Sequence, residues 1–239
     1  MPPGSFRHQF WYELRALPRW GFVYALLTGL FTLLTDMLDW RNGPSVSAMG
    51  AVTPVILMIG DLAASYFIMM AMLRHRGSVR GAFRFATACL LLIASLILFI
   101  VLGVLVAAVS GFDVDSSIVY LPMFVWAILA SPLTAWPVAR AVSAHPKPLP
   151  LIWRASRGHR WILAGAALIS AVMPTLSPDM STVGQSLEAV LRATGHSAID
   201  GIMFLLGLCV SVTAWKLALR QESALTPDLP RPAARKSPR

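Results

Sequence analysis

The sequence predicts an all-α integral membrane protein: a polytopic bundle of about six transmembrane helices, with short amphipathic helices at the interface. Three observations carry that reading. First, hydrophobic residues make up 56% of the chain and charged residues only 13%, about half the charge that a water-facing surface carries. Second, the apolar residues fall in runs of about 20, the length of helix that crosses about 30 Å of hydrocarbon at about 1.5 Å per residue. Third, Lys and Arg occupy alternate connections between those runs, as cytoplasmic segments do. Barrel strands are excluded, because the runs are about twice a strand's length and show no two-residue alternation.

The elements follow in order. Residues 5–17 read as an amphipathic helix on the cytoplasmic surface. Ser5 is a good N-cap, and Phe6, Phe10, Leu14 and Leu17 recur at helical spacing, with Arg7, His8, Glu13 and Arg15 elsewhere. Trp11 and Tyr12 suit the headgroup region. The first span is 20–38; no A-x-A-like site follows its apolar stretch, which argues against a cleavable signal peptide. The second span is 51–73 and the third, free of charge, 85–109. The fourth is 117–139, the fifth and shortest 161–177, and the sixth 197–219. Residues 1–222 thus form a single transmembrane domain. The Pro-, Lys- and Arg-rich stretch 223–239 reads as a disordered, basic cytoplasmic tail.

Two further stretches look interfacial. The segment 148–161 carries Trp153 and Trp161, predicted at headgroup level, and Arg154, Arg157 and Arg160, predicted near lipid phosphates. On the opposite side, 181–193 offers Val183, Leu187, Val190 and Leu191 as a short amphipathic helix.

Of the 20 Lys and Arg residues, all but Arg41 and Arg192 lie in the N-terminus, the second and fourth connections or the C-terminus. That places both ends in the cytoplasm of a bacterial inner membrane. Asp36, Asp39, Asp113, Asp115, Asp179 and Glu188 lie on the other face or at span ends, and their spacing is not that of an EF-hand. The net charge of +9 is assigned to anionic lipid headgroups rather than nucleic acid, since the basic residues alternate with apolar runs.

Charges inside spans are the sharpest chemical signals. Asp61 lies ten residues into the second run, near the bilayer midplane, where a carboxylate costs at least about 2.5–3.5 kcal/mol and is a functional candidate. Ser65 follows one turn later. The pair reads either as a proton- or cation-binding site or as a neutral, hydrogen-bonded acid that locks helix packing. His196 and Asp200, four apart at the outer end of the sixth span, form a second candidate, but two ligands do not make a zinc site. Lys216 is expected to snorkel. Cys89 and Cys209 read as packing residues. The sequence contains no Walker A, H-E-x-x-H or G-x-S-x-G motif, and nothing in it calls for a cofactor or metal.

The segment IWRASRGHRWILAGAALIS resembles certain bacterial six-span proteins related to the membrane domain found beside glycerophosphodiester phosphodiesterases. Trp153, Arg154, Ser156, Arg157, Gly158 and Trp161 match the Trp-Arg-x-[ST]-Arg-Gly-x-x-Trp stretch that enters their fifth span. The resemblance implies a six-span plan and an amphipathic N-terminus. It implies no diesterase activity, because no hydrolase domain is present in this sequence. The expected role is non-enzymatic: an accessory, scaffold or membrane-homeostasis component. The alternative is a small permease or transporter subunit using an intramembrane carboxylate. A polar cavity reaching Asp61 favours transport; a hydroxyl cap on Asp61 in a packed interior favours the first.

Overall fold

A computed structural model describes residues 5–42, 48–111, 116–143, 147–172 and 187–221. Every regular element among them is helical. Helix α1 (Phe6–Arg15) opens on Ser5, whose side chain accepts from His8 N, as its N-cap role requires. Helix α2 (Arg19–Asn42) follows, then α3 (Ala48–Met72) and the 31-residue α4 (Val79–Val109). Ser78 caps α4 by accepting from Gly81 N at 3.0 Å, which starts the helix six residues before the predicted span.

The fourth predicted span is broken. Helix α5 (Ser116–Ala130) passes through a 3-10 turn, Ser131–Leu133, into α6 (Trp136–Val142). Pro132 has no N–H for the Ile128 carbonyl, and Ser131 Oγ donates to that carbonyl instead at 2.8 Å. Thr134 Oγ1 donates to Ser131 O, and Ser156 Oγ reaches across to Pro132 O at 2.9 Å. The break is therefore supplied with hydroxyl donors where the ladder lapses, the condition for irregular backbone at membrane depth.

Helix α7 (Leu149–Ala155) and a 3-10 turn, Arg157–His159, lead into α8 (Arg160–Val172). The remainder of the predicted fifth span, 173–177, lies outside the described residues, as does the tail 223–239. Helix α9 (Leu187–Gln221) runs 35 residues without interruption. The stretch predicted as a separate amphipathic helix at 181–193 is, from Leu187 onward, the first turns of α9; 181–186 lie outside the described residues.

Four helical segments among the described residues are long and apolar enough to cross a membrane: Val55–Met72, Val79–Val109, Tyr120–Val142 and Thr194–Gln221.

Among the described residues, packing is concentrated at one end. Buried residues come from the last turns of α3 (Tyr66, Ile68, Met69), the first turns of α4 (Phe85, Ala88), α6, α7 and the second half of α9 (Val212, Trp215). Beyond Ala88 no residue of α4 is buried. Hydrogen bonds tie the same end together. Tyr66 Oη donates to Ser78 O and accepts from Ser78 N, and Arg84 donates to Ser143 O at 2.8 Å. Further out, contact depends on small residues. A Cβ on Gly29 would stand 3.0 Å from Ser197 O, and one on Gly201 3.0 Å from Ala25 O. Ala25-x-x-x-Gly29 thus meets Ser197-x-x-x-Gly201, each glycine seated on the other helix's backbone. Close approach through small residues is how helices associate where lipid removes the hydrophobic drive.

Candidate functional site

Asp61 sits on α3, half-buried, and takes its hydrogen bond from α2: Tyr24 Oη donates to Asp61 Oδ1 at 2.9 Å. Gly60 permits this, since a Cβ there would stand 3.2 Å from Tyr24 Oη. The Tyr24 ring rests against Phe204 of α9 with centroids 5.7 Å apart. The partner is therefore a phenol from another helix rather than Ser65, which is half-buried one turn along α3. Sequence reasoning missed Tyr24, because no spacing rule pairs residues 37 apart.

Three apolar cavities, of about 310, 570 and 410 Å³, open along the α2–α9 crossing, the α4–α5 crossing and the junction of α4, α5, α8 and α9. Asp61 lines none of the three. The hydroxyls of Ser131, Thr134, Ser170 and Ser211, which line the third, all donate to carbonyls of their own helices or turn.

His196 Nε2 and Asp200 Oδ2 face each other at 3.6 Å, beyond hydrogen-bond length, with the Asp200 side chain 46% exposed. Among the described residues no group of three His, Cys, Asp or Glu side chains is placed to hold a metal.

The segment 153–161 divides into an outward and an inward set. Arg154 and Arg157 are exposed, and Trp161 is 86% exposed. Arg160 turns back instead. Its guanidinium lies over the Trp153 ring, 5.1 Å from the centroid, and donates to Trp153 O. Ser156 is buried and holds α7 to the α5–α6 break, while a Cβ on Gly158 would stand 2.9 Å from Gln221 Nε2. Each position of the Trp-Arg-x-Ser-Arg-Gly-x-x-Trp stretch except Arg154, Arg157 and Trp161 thus makes a contact within the protein. His159 lies between Phe6, with ring centroids 6.1 Å apart, and Gln221, and burial pushes its imidazole below the usual histidine value.

The most tightly bonded polar group is one the sequence misplaced. Glu13, assigned to the polar face of α1, is fully buried against α9. Lys216 Nζ donates to Glu13 Oε1 at 2.7 Å and to Oε2 at 2.9 Å. Gln9 donates its amide to Glu13 Oε1 and accepts from Arg220 at 2.9 Å. Lys216 does not snorkel: it closes this network beneath the Tyr12 ring, 5.6 Å from the centroid. Phe6 and Leu17 turn into the bundle beside it, and Trp11 and Tyr12 are left about half exposed. The only sequence signal was Lys216 itself, a charge one turn inside the end of an apolar run.

Helices of this length and apolarity define an all-helical membrane protein. The sequence matches no known family, and neither curated proteins nor solved structures provide a match.

Proposed function

We propose that the chain is a six-span protein of a bacterial inner membrane, with both ends in the cytoplasm. Its role is that of a non-enzymatic accessory, scaffold or membrane-homeostasis component, akin to the six-span proteins that its 153–161 stretch resembles. The two additional spans are α2, 24 residues long, and the run that begins with α8. The observation that carries the functional reading is the state of Asp61. Its carboxyl accepts from Tyr24 of α2, whose ring rests against Phe204 of α9, so the intramembrane acid ties α3 to its neighbours as a helix-packing role requires.

The basic end fits a layer of anionic headgroups. Arg154, Arg157 and Trp161 are exposed there, and so are Trp11, Trp20 and Phe83, an arrangement that resembles an aromatic belt. Lipid is the proposed partner.

The test compares Asp61→Asn with the parent protein in liposomes, following both thermal stability and proton or cation flux. The asparagine can still accept from Tyr24, so stability is expected to hold, and no flux is expected from either form. Flux through the parent that disappears in a stably folded Asp61→Asn variant would establish the permease instead.

A further inference from the structure

The cavity of about 410 Å³ lies at the α5–α6 break. Ser131 and Thr134 of the break line it together with Pro137 of α6, and α4, α5, α8 and α9 supply the other walls. The break falls inside Tyr120–Val142, one of the segments long and apolar enough to cross a membrane. Irregular backbone at that depth is tolerated where it is buried in protein or lines a cavity, and interrupted helices form the binding sites of many membrane proteins.

The volume falls in the range of small-molecule pockets, about 300–1,000 Å³. Among the described residues, none that lines the cavity is charged. An ion finds no counter-charge there, so charge complementarity selects a neutral guest. The polar groups narrow the choice further. Ser131, Thr134, Ser170 and Ser211 each have one O–H, and each gives it to a carbonyl of its own helix or turn, at 2.8, 2.6, 3.1 and 2.9 Å, respectively. Trp126 carries the remaining side-chain donor of the lining, and its Nε1 donates to Ser95 Oγ at 3.1 Å. A hydroxyl that has donated keeps its acceptor lone pairs. The lining side chains can therefore accept hydrogen bonds but have none to give. A guest that only accepts gains nothing from them, whereas a guest with an O–H does. The rest of the wall, including Leu92, Leu96 and Met123, is apolar and suits hydrocarbon rather than water.

We infer that this cavity binds a neutral single-chain lipid ending in a free hydroxyl. The chain lies against the apolar wall, and the hydroxyl donates to a serine or threonine oxygen of the lining. The site does not include Asp61, and the inference goes beyond the accessory role without resting on it.

The full-length protein is placed in nanodiscs of phosphatidylcholine, whose headgroup has no hydrogen-bond donor, and irradiated with dodecanol that bears a diazirine on its chain. Labelled peptides are located by mass spectrometry. Unlabelled dodecanol and its methyl ether compete at equal mole fraction in the bilayer. Label is expected over 123–134 and 167–171, with little on Leu98 and Val101, exposed residues of α4 that do not line the cavity. Dodecanol should displace the label at about fivefold lower concentration than the ether, the equivalent of one neutral hydrogen bond. Ala167→Leu/Ala171→Leu, which fills the cavity from α8, should abolish labelling of 123–134. Label spread evenly onto Leu98 and Val101 would show ordinary lipid contact and overturn the inference. Equal displacement by the ether, or labelling that survives in the filled variant, would overturn it as well. Should the filled variant fail to fold, the competition in the parent protein decides alone, since it needs no substitution.

Discussion

Glu13 carries its carboxylate out of water completely and receives three hydrogen bonds in return, two from Lys216 and one from Gln9. Burying both charges is costly, and the pair is sustained only while its hydrogen bonds are complete. Removing one partner strands the other. Glu13→Gln or Lys216→Met is therefore expected to cost about 3 kcal/mol, measured by denaturant titration in micelles. Glu13→Gln/Lys216→Met should cost clearly less than the two single losses together, and simple additivity would show that the groups are not coupled. The Tyr24–Asp61 contact is smaller: Tyr24→Phe should cost about 1 kcal/mol, the worth of an ordinary hydrogen bond. His159 adds a pH dependence. Its imidazole is held below the usual histidine value of 6.5, so the unfolded chain binds its proton more readily than the folded one. The histidine's contribution is fully present above that pH and is lost as pH falls through the lowered folded value. Melting temperature should therefore decline on acidification below about 6.5. Replacing the residue as His159→Gln should flatten the decline relative to the parent, and an unchanged pH profile would assign it to other groups.

The helices differ in what holds them, and that difference governs what was legible in the sequence. The apolar runs were legible because membrane length and composition act locally: spans predicted at 51–73 and 85–109 appear as α3 and α4. Ser5 announced α1 for the same reason, since an N-cap acts within one turn. The α5–α6 break was written in Ser131, Pro132 and Pro137, but apolarity dominated the reading of 117–139 as one run. The Glu13–Lys216 pair was not legible at all. Amphipathic periodicity assigns a glutamate to the wet face of α1, and only the docking of α1 on α9, 203 residues away in sequence, reverses that. Likewise, Ala25-x-x-x-Gly29 and Ser197-x-x-x-Gly201 gain meaning only once the two helices cross. That crossing gives an element-scale prediction. Gly201→Val would drive a side chain into the Ala25 carbonyl, which is backbone and cannot swing aside. The expected result is separation of α2 from α9, read as a lower melting temperature, and an unchanged melting temperature would show that the crossing does not depend on this glycine. Ser156→Ala acts at the break instead. It frees the Pro132 carbonyl and should cost about 1–2 kcal/mol, with faster amide exchange over 131–136 as its signature.

Across the molecule, one end stands out among the described residues. It is packed, hydrogen-bonded and basic: Glu13 meets Lys216, Arg84 meets Ser143, Ser156 meets Pro132 and His159 meets Gln221. These contacts join the start of the chain, the α3–α4 connection, the α6–α8 region and the end of α9. Among the described residues these segments hold every Lys and Arg except Arg41 and Arg192, and Arg231, Arg235, Lys236 and Arg239 lie outside the described residues. The joining of those segments was no part of the charge count, so geometry and charge agree independently on which segments share a side. Under the positive-inside rule, the compartment proposed for that side is the cytoplasm. In the proposed orientation each Lys or Arg near an anionic cytoplasmic surface would contribute about 1 kcal/mol, so an inverted protein would forgo many such contacts. Reporter fusions after Arg239 and within 40–50 are therefore expected to report cytoplasm and exterior, respectively. A fusion after Arg160, behind the exposed Arg154 and Arg157, should agree with the one after Arg239. An exterior signal after Arg239 with cytoplasm at 40–50 would invert the protein while leaving the packed end intact. An exterior signal after Arg239 with exterior at 40–50 would instead mean an even number of crossings between them, and would remove the six-span plan itself.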